Sequence, residues 1–461
     1  MSALPIETKT AIYREGFTVK KRTRNAKSVV YSIMCSALIL TGVVGCSNNT
    51  TSENNANAAS ASDPKEKIKL EFYYGLGGKL GETMQKIVQD FNSKNQQYEV
   101  VPVIQGDYGE TLQALQASLA AGKPPALSIN GYPEFMKLAK SDALLPLDEY
   151  INQPEYKKDD VLLLEQGKYN EATLGVPAYV ATQMMYYRKD IFEKYHIDYN
   201  SLKSFEQLAD AAKLIKEKEG ISGWSIMWYA EHMIDYARSA GGDIVSKDGK
   251  TVTIDSEEWI YAWDNIRKWV HEDKIMDTVY GGNGWEWWYK TIDNVMNGKS
   301  AGYTGSSGDG GDLDFTKVAT GMQKGFHGEK PRPVATSVMF NLFKASSKEQ
   351  QQGAWEFVKF FSEAEKTAYW AVETGYIPIR DSAVNTDIYQ NKLKENPYLS
   401  VPLEQAKTNG IAPFVDPTGG KIYAEIELAK DKVLIENIPA QEALKEAKRK
   451  AQVELDKALK Q

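Results

Sequence analysis

The chain has 461 residues, 42% of them hydrophobic and 25% charged, which is enough to bury two sizeable cores. Its 62 acidic and 55 basic residues give a net charge of −7, and such a surface disfavours nucleic acid and anionic lipid headgroups as partners. Only two cysteines, Cys35 and Cys46, are present, so a framework of several disulfides is excluded.

The N-terminal segment has the pattern of a secretory signal. Lys and Arg cluster between residues 20 and 27, and an apolar run follows over residues 29–44. This run is too short to span a bilayer comfortably, and its basic flank is typical of an export signal. It ends in VVGC, which resembles the box of bacterial lipoproteins. We therefore expect residues 1–45 to be a signal peptide and Cys46 to carry the lipid, including palmitate.

An uncleaved signal-anchor helix with an incidental cysteine is the alternative for this segment. The first eighteen residues make the segment long for such a signal, which favours a downstream translation start. After cleavage the chain would keep 48 basic residues (55 less seven) and 60 acidic residues (62 less two), a net charge near −12. Residues 46–66 contain no large apolar side chain, so we expect a flexible tether with a reach of roughly 25 Å.

From residue 67 the chain alternates strand-like and helix-like patterns, which is typical of an α/β fold. The first five elements predict a β-α-β-α-β unit with one parallel sheet. We expect its strands at residues 67–73, 98–103 and 126–129, one helix at residues 82–92 and a second helix around Leu112, Leu115 and Leu119.

A second set of elements follows residue 176. Asp248-Gly249, between two short apolar runs at residues 243–245 and 251–254, predicts a β-hairpin. Ser256 is expected to cap a helix that carries Trp259 and Trp263. The other elements expected here are a strand at residues 184–187 and helices at residues 190–195, 205–218, 347–361, 364–374 and 440–459.

No motif in the sequence indicates catalysis or a bound cofactor. The four histidines are scattered, and no nucleophile or phosphate-loop motif is present. The glycine run at residues 75–81 misses the dinucleotide spacing by one residue, so we expect a tight turn of the backbone there. Asp309, Asp312 and Asp314 lie in a glycine-rich stretch, where we expect a solvated loop because the ligand order of a calcium site is missing.

Aromatic residues are abundant, with ten Trp and 26 Tyr. Many of them stand beside Gly, Pro or small polar residues at the predicted strand ends. In open α/β sheets the ligand crevice lies beyond the carboxyl ends of the strands. Aromatic faces there suit the apolar side of a sugar ring, while Asn, Asp and Glu bond its hydroxyl groups. The pattern favours a carbohydrate site.

From residue 68 to the C-terminus the sequence resembles the family 1 extracellular solute-binding proteins of ABC importers. It is most similar to the glycerol-3-phosphate-binding branch and to related sugar binders. The residues that carry the resemblance are FYYGLGGKLGETMQKIVQDFNSKNQQYEVVPV, QGDYGETLQALQASLAAGKPPAL, GVPAYVATQMMYYRKDIFEKYHID, GKSAGYTGSS and ETGYIPIRDSA. The resemblance implies a two-lobed periplasmic-binding-protein-like fold of type II, with crossover strands and a cleft between the lobes. The lobes would be residues 67–180 with 334–378, and residues 181–333 with 379–461.

The resemblance also implies a ligand-binding set. Its members are Tyr74, Tyr108, Asn130, Tyr132, Tyr179, Trp228, Glu231, Ser306 and Tyr376. Three departures from the glycerol-3-phosphate branch matter. Gly109 stands where that branch has a carboxylate, Glu231 replaces a tryptophan, and Gly419 replaces the arginine that binds the phosphate. A site without that arginine and with an added acid favours a neutral sugar.

We therefore expect a monomeric lipoprotein without enzymatic activity, metal or cofactor. It would hand a mono- or oligosaccharide to an ABC permease on the extracytoplasmic face of the cell membrane in a Gram-positive bacterium. Glycerol-3-phosphate, a glycerophosphodiester or a polyol is the alternative ligand. A surface glycoside hydrolase is a remote alternative, because it needs two close carboxylates at a pocket.

Overall fold

The computed structural model describes residues 66–460. The predicted signal peptide, the lipid-bearing Cys46 and all but the last residue of the predicted tether lie outside this described part. Within residues 66–460, no helix is both long and apolar enough to cross a bilayer.

The strands of the described part are β1 (Ile68–Tyr74), β2 (Tyr98–Ile104), β3 (Leu127–Asn130), β4 (Lys168–Tyr169), β5 (Ala172–Thr173), β6 (Val176–Arg188), β7 (Trp224–Met227), β8 (Met276–Val279), β9 (Gly302–Ser306), β10 (Val318–Met322) and β11 (Ala335–Leu342). The α-helices are α1 (Gly78–Lys94), α2 (Tyr108–Ala120), α3 (Tyr132–Lys140), α4 (Asp148–Ile151), α5 (Lys189–Lys194), α6 (Phe205–Glu219), α7 (Ala230–Arg238), α8 (Glu257–His271), α9 (Glu286–Met296), α10 (Lys348–Phe361), α11 (Ala364–Thr374), α12 (Asp387–Glu395), α13 (Val401–Thr408), α14 (Lys421–Leu434) and α15 (Ala440–Ala458).

The predicted β-α-β-α-β unit is confirmed. Strand β1 pairs in parallel with β2 on one side and with β3 on the other. Helix α1 buries the predicted stripe of Met84, Ile87, Val88 and Phe91. This stripe recurs at helical spacing, so a single face of α1 packs onto the sheet.

Strand β6 is the long element that joins the two halves of the sheet. The strand order is β2-β1-β3-β11-β6-β9-β7-β8, and β10 also pairs with β6. The first half of β6 pairs antiparallel with β11, for example Val180 with Ser337, and the second half pairs with β9, for example Met185 with Thr304. The sequence predicted only residues 184–187 as strand here, because the preceding Val-Pro-Ala-Tyr segment has a proline.

Two large hydrophobic cores flank this strand. One contains Phe72 and Trp355 and is built around the β1, β3 and β11 side of the sheet. The other contains Trp224, Trp259 and Trp263, and helices α8, α14 and α15 contribute to it. The predicted α/β class is therefore confirmed, whereas the predicted lobe boundaries stay a prediction.

The hairpin at Asp248-Gly249 is only partly formed. Gly249 takes the expected left-handed conformation, with φ of +70°, but the pairing is limited to one bridge between Val245 and Val252. A two-stranded ribbon without a neighbouring strand is marginally stable. Val252 is instead fully buried in the core beside α8 and α15.

Candidate functional site

A cavity of about 1120 Å³, counting the open solvent at its mouth, lies where the loops after β1 and β3 meet α7, α9 and the turn after β9. Aromatic residues and carboxyl groups are prominent in its wall. The aromatic residues are Tyr108, Tyr132, Tyr229, Trp285, Trp288, Tyr289, Tyr376 and Tyr423. The carboxyl groups are Glu231, Asp235, Asp309 and Asp312. Among the described residues that line it there is neither Lys nor Arg.

The structure brings five of the nine predicted ligand-binding residues to this wall. They are Tyr108, Tyr132, Glu231, Ser306 and Tyr376. Their role as ligand contacts stays a prediction. The other four, Tyr74, Asn130, Tyr179 and Trp228, are not among the lining residues.

Tyr179 supports the wall from behind. Its ring stacks against Tyr376, at 4.4 Å between ring centroids, and against Trp370, at 4.9 Å. Its hydroxyl group shares a 2.8 Å hydrogen bond with that of Tyr108. This fully buried side chain therefore fixes two tyrosines that do reach the cavity.

Tyr74 and Asn130 are also fully buried in the sheet layer. The Asn130 amide nitrogen donates to the hydroxyl oxygen of Ser128 and to the side-chain oxygen of Asn341, which ties β3 to β11. The next residues along the chain, Gly131 and Tyr132, form part of the wall. The loop predicted from sequence therefore borders the cavity, whereas Asn130 itself contributes a bond between strands.

Trp228 points away from the wall toward α14. Its indole nitrogen donates to an Asp431 carboxylate oxygen at 2.6 Å, and the Lys430 ammonium lies 4.3 Å from the ring centroid. The edges of Trp287 and Tyr280 complete its surroundings. In this arrangement Trp228 is a packing residue next to the site.

Asp309 is not in a solvated loop, so this expectation was wrong. The residue is 4% exposed, and its carboxylate accepts from the Trp288 indole at 2.8 Å, the Tyr303 hydroxyl at 3.0 Å and the Ser306 amide at 3.0 Å. Burial raises its pKa to about 7. Asp309 therefore organises the turn that presents Ser306 to the cavity. Within residues 66–460, no group of three or more potential ligands is arranged to hold a metal ion.

Glu231 lies in the first turn of α7 and is partly buried. Burial raises its pKa to about 8, and the negative charge of Glu134 acts in the same direction. Burial raises the pKa of Glu134 as well. Two neighbouring carboxyl groups in a poorly solvated region are hard to ionise together, so the uncharged form of Glu231 is favoured.

Three further polar residues of the wall were not predicted. Gln183, His232 and Asp235 are each at least 95% buried, and each has side-chain atoms without any hydrogen-bond partner in the structure. The sequence contained one indication of such a role, which is that Gln183 is a lone side-chain amide within an apolar strand. His232 and Asp235 are three residues apart and lie on one side of α7.

Trp285 was also missed. It begins α9 after a loop in which Gly281, Gly282 and Gly284 all have positive φ. Its indole nitrogen donates to the Gly75 carbonyl oxygen at 3.1 Å, and its ring meets Tyr108 edge-on at 5.6 Å. A helix start rich in Trp is typical of a buried core, so the sequence alone did not predict this contact across the cavity.

The glycine run after β1 makes the tight turn that the sequence predicted. A Cβ on Gly75 would lie 2.2 Å from the Asp107 carbonyl oxygen, so only glycine fits. The two glycines that depart from the glycerol-3-phosphate branch, Gly109 and Gly419, are both absent from the wall, although Pro413 belongs to it.

Residues 86–396 match the model of the family described as bacterial extracellular solute-binding protein. The chain belongs to this family. Membership assigns it a binding rather than a catalytic role, with the solute taken up outside the cytoplasm, and it places the chain among the solute-binding components of ABC importers.

Among curated relatives, the chain is similar to the sn-glycerol-3-phosphate-binding periplasmic protein UgpB of Escherichia coli K12, at 23% identity over 365 residues, or 75% of this chain and 82% of the relative. The UgpB protein of Brucella melitensis is 25% identical over 361 residues, covering 73% and 80% of the two chains.

Two solved structures share the fold. The Mycobacterium tuberculosis UgpB, solved with glycerophosphocholine, has a TM-score of 0.76 at 18% identity, covering 86% of this chain and all of that one. The GacH receptor of Streptomyces glaucescens, solved unliganded and with acarbose, has a TM-score of 0.75 at 18% identity, covering 85% and 99%. The predicted two-lobed fold of periplasmic solute-binding proteins is thereby confirmed.

Proposed function

We propose that the mature chain binds a neutral carbohydrate, a mono- or oligosaccharide, and delivers it to the permease of an ABC importer. One observation carries the proposal: eight aromatic side chains and four carboxyl groups line the cavity, and its described wall contains no Lys or Arg. Aromatic faces pack against the C–H faces of sugar rings, and carboxyl and amide groups bond the hydroxyl groups.

The same wall is a poor receptor for a phosphate monoester. Such a ligand carries up to two negative charges and is held in proteins by Arg, Lys or helix N-termini. Here it would face the carboxyl groups of Glu231, Asp235, Asp309 and Asp312 and no Lys or Arg of the described wall, so helix N-termini such as that of α3 at Tyr132 would have to balance its charge alone. A neutral ligand avoids this repulsion.

Delivery would use closure of the two lobes around the ligand. We assign residues 67–180 with 334–378 to one lobe and residues 181–333 with 379–461 to the other. Tyr108 and Tyr132 belong to the first of these lobes and Glu231 and Trp285 to the second, so a ligand that touches all four stabilises the closed form. The permease would then recognise a closed, monomeric receptor.

Calorimetry of the purified protein against monosaccharides, maltose and maltotriose tests the proposal, with glycerol-3-phosphate as the charged comparison. We expect dissociation constants near the micromolar range for at least one sugar, or about −8 kcal/mol. Heat with glycerol-3-phosphate and with no sugar would overturn the carbohydrate assignment.

A glycerophosphodiester with a quaternary ammonium group is the second candidate. Two of the similar proteins favour it, because the Escherichia coli relative is a glycerol-3-phosphate-binding protein and the Mycobacterium tuberculosis structure is a complex with glycerophosphocholine. Aromatic faces and carboxylates also attract such a cation. Competition between glycerophosphocholine and the best sugar in the same calorimeter would decide between the two.

The membrane attachment is a proposal from the sequence. Residues 1–45 would direct export, Cys46 would carry the lipid, and residues 46–66 would act as the tether on the outer face of the membrane of a Gram-positive bacterium. Growth with a labelled palmitate analogue should label the wild type, whereas Cys46→Ser should remain unlabelled. Equal labelling of both would exclude this anchor.

A further inference from the structure

We propose that Gln183, His232 and Asp235 form a subsite that binds two neighbouring hydroxyl groups of the ligand. The proposal rests on the proposed carbohydrate function and adds the chemical group that this part of the cavity selects. These three residues lie on β6 and α7 and share the cavity wall.

The first argument is the unmet hydrogen-bonding capacity of the three side chains. Both polar atoms of the Gln183 side-chain amide, Nδ1 of His232 and Oδ1 of Asp235 are buried without a hydrogen-bond partner among residues 66–460. The three residues are 3%, 5% and 3% exposed. A buried polar group without a partner is destabilising, and proteins rarely keep one without a reason. Here four such atoms belong to three residues of one cavity.

The second argument is that the backbone beneath two of the residues is held rigidly. The side-chain nitrogen of Gln405 donates to the backbone carbonyl oxygen of Gln183 at 2.6 Å. The side-chain oxygen of Gln405 accepts from the backbone N–H of Gln323 at 2.7 Å. The Gln323 side chain in turn donates to the Asp235 carbonyl oxygen at 3.2 Å. These two glutamines satisfy backbone groups, and the Val334 backbone amide donates to Oδ2 of Asp235 at 3.1 Å. The Gln183 side-chain amide and Oδ1 of Asp235 are left open, which is the arrangement of a preorganised site.

The third argument is the match between the groups and an alcohol. An amide offers one acceptor and two donors, an imidazole ring offers one of each, and a carboxyl group accepts. Burial lowers the pKa of His232 to about 3, so its ring is neutral, and burial raises the pKa of Asp235 to about 7. Each hydroxyl group both donates and accepts, so two adjacent hydroxyls can satisfy all four atoms, whereas a phosphate group supplies acceptors almost alone.

The variant Gln183→Leu tests the inference, with Gln351→Leu as its matched control. Gln351 is also a buried glutamine, 1% exposed, but its amide donates to the carbonyl oxygens of Phe343, Lys344 and Ser346 and it does not line the cavity. In the ligand-free full chain we expect Gln183→Leu to keep or raise the melting temperature, because it removes unpartnered atoms. Gln351→Leu should lower it.

Binding is measured with D-glucose and each of its monodeoxy analogues. The wild type should lose about ten-fold or more in affinity when the selected hydroxyl is missing. Gln183→Leu and Asp235→Asn should bind D-glucose at least ten-fold more weakly and should no longer distinguish it from that analogue. Gln351→Leu should keep the wild-type affinity and discrimination.

Two results would overturn the inference: a fall in melting temperature for Gln183→Leu as large as that for Gln351→Leu, or undiminished discrimination by the Gln183 and Asp235 variants. If no saccharide binds the wild type, the carbohydrate proposal fails on its own. Ribitol then replaces D-glucose, because the subsite needs only adjacent hydroxyls. Failure to bind ribitol as well would overturn the subsite.

Discussion

The indole nitrogen of Trp285 donates to the carbonyl oxygen of Gly75 at 3.1 Å, joining the start of α9 to the loop after β1 across the mouth of the cavity. The Trp285 ring is itself part of the wall and packs edge-on against Tyr108. One side chain therefore touches the ligand space and bridges the elements on its two sides.

Removing this bridge should speed ligand release. We expect Trp285→Ala to raise the dissociation rate of the bound sugar about ten-fold, because both the ring contact and the hydrogen bond are lost, with a smaller rise for Trp285→Phe. Stopped-flow fluorescence measures the rate. Trp287→Phe is the control, since Trp287 is not in the wall. An unchanged rate for Trp285→Ala would argue against a bridging role.

Asp309→Ala should destabilise the protein as well as weaken binding. The substitution leaves the Trp288, Tyr303 and Ser306 donors without their acceptor, at a cost of roughly 3 kcal/mol in the free energy of unfolding. Denaturation in urea measures this quantity. Asp314→Ala lies in the same stretch, but the Asp314 carboxylate accepts from the neighbouring Thr316 and pairs with the exposed Lys317 at 3.7 Å, so its loss should cost about 0.5 kcal/mol or less. Equal losses for both variants would contradict the assigned role of Asp309.

The ligand-free protein should become less stable as the pH rises toward 8. The pKa of Glu231 is raised from its ordinary value near 4.5 to about 8, so the folded state holds this proton more tightly than the unfolded state does. The resulting stability is fully present below pH 4.5 and is lost as the pH rises through 8. Melting temperatures between pH 4.5 and 8.5 should fall less steeply for Glu231→Gln than for the wild type. Parallel curves would contradict this.

Tyr179→Phe should weaken binding without unfolding the protein. The ring stays stacked on Trp370 and Tyr376, but Tyr108 loses its hydroxyl partner and is less firmly oriented. We expect a loss in affinity of roughly three- to ten-fold, as for one ordinary hydrogen bond. Tyr187→Phe is the control, because the buried Tyr187 hydroxyl has no hydrogen-bond partner in the described part of the chain and its removal should be neutral. An equal loss of affinity for Tyr187→Phe would mean that removing any buried tyrosine hydroxyl weakens binding, and it would contradict a specific role of the bond between Tyr179 and Tyr108.

The sequence predicted the periodic elements well and the site only in part. Strands with clear alternation and helices with one apolar stripe are local patterns, so α1 and α11 were found near their true ends. The full length of β6 could not be predicted from local sequence, because its Val-Pro-Ala-Tyr half becomes a strand only by pairing with β11. Aromatic residues beside glycine pointed to Tyr108, Tyr132 and Tyr376, which line the cavity.

The residues missed at the site depend on tertiary structure. The role of Trp285 depends on the position of the Gly75 loop, more than 200 residues earlier in the chain. Similarly, whether a buried glutamine is satisfied, as Gln351 is, or left open, as Gln183 is, depends on neighbours that no local pattern reveals. Asp309 was misjudged because glycine-rich stretches are usually exposed.

The pairing of β11 with β3 and β6 also shapes the order in which this protein can fold. Asn130 and Asn341, which join β3 to β11, are 211 residues apart, and contacts at such separations slow folding because a long loop must close first. Until residues 335–342 are available, β3 and the first half of β6 keep open edges, which are templates for pairing with other chains. The strand that completes the sheet therefore also ends the period in which a newly made chain is most prone to aggregate.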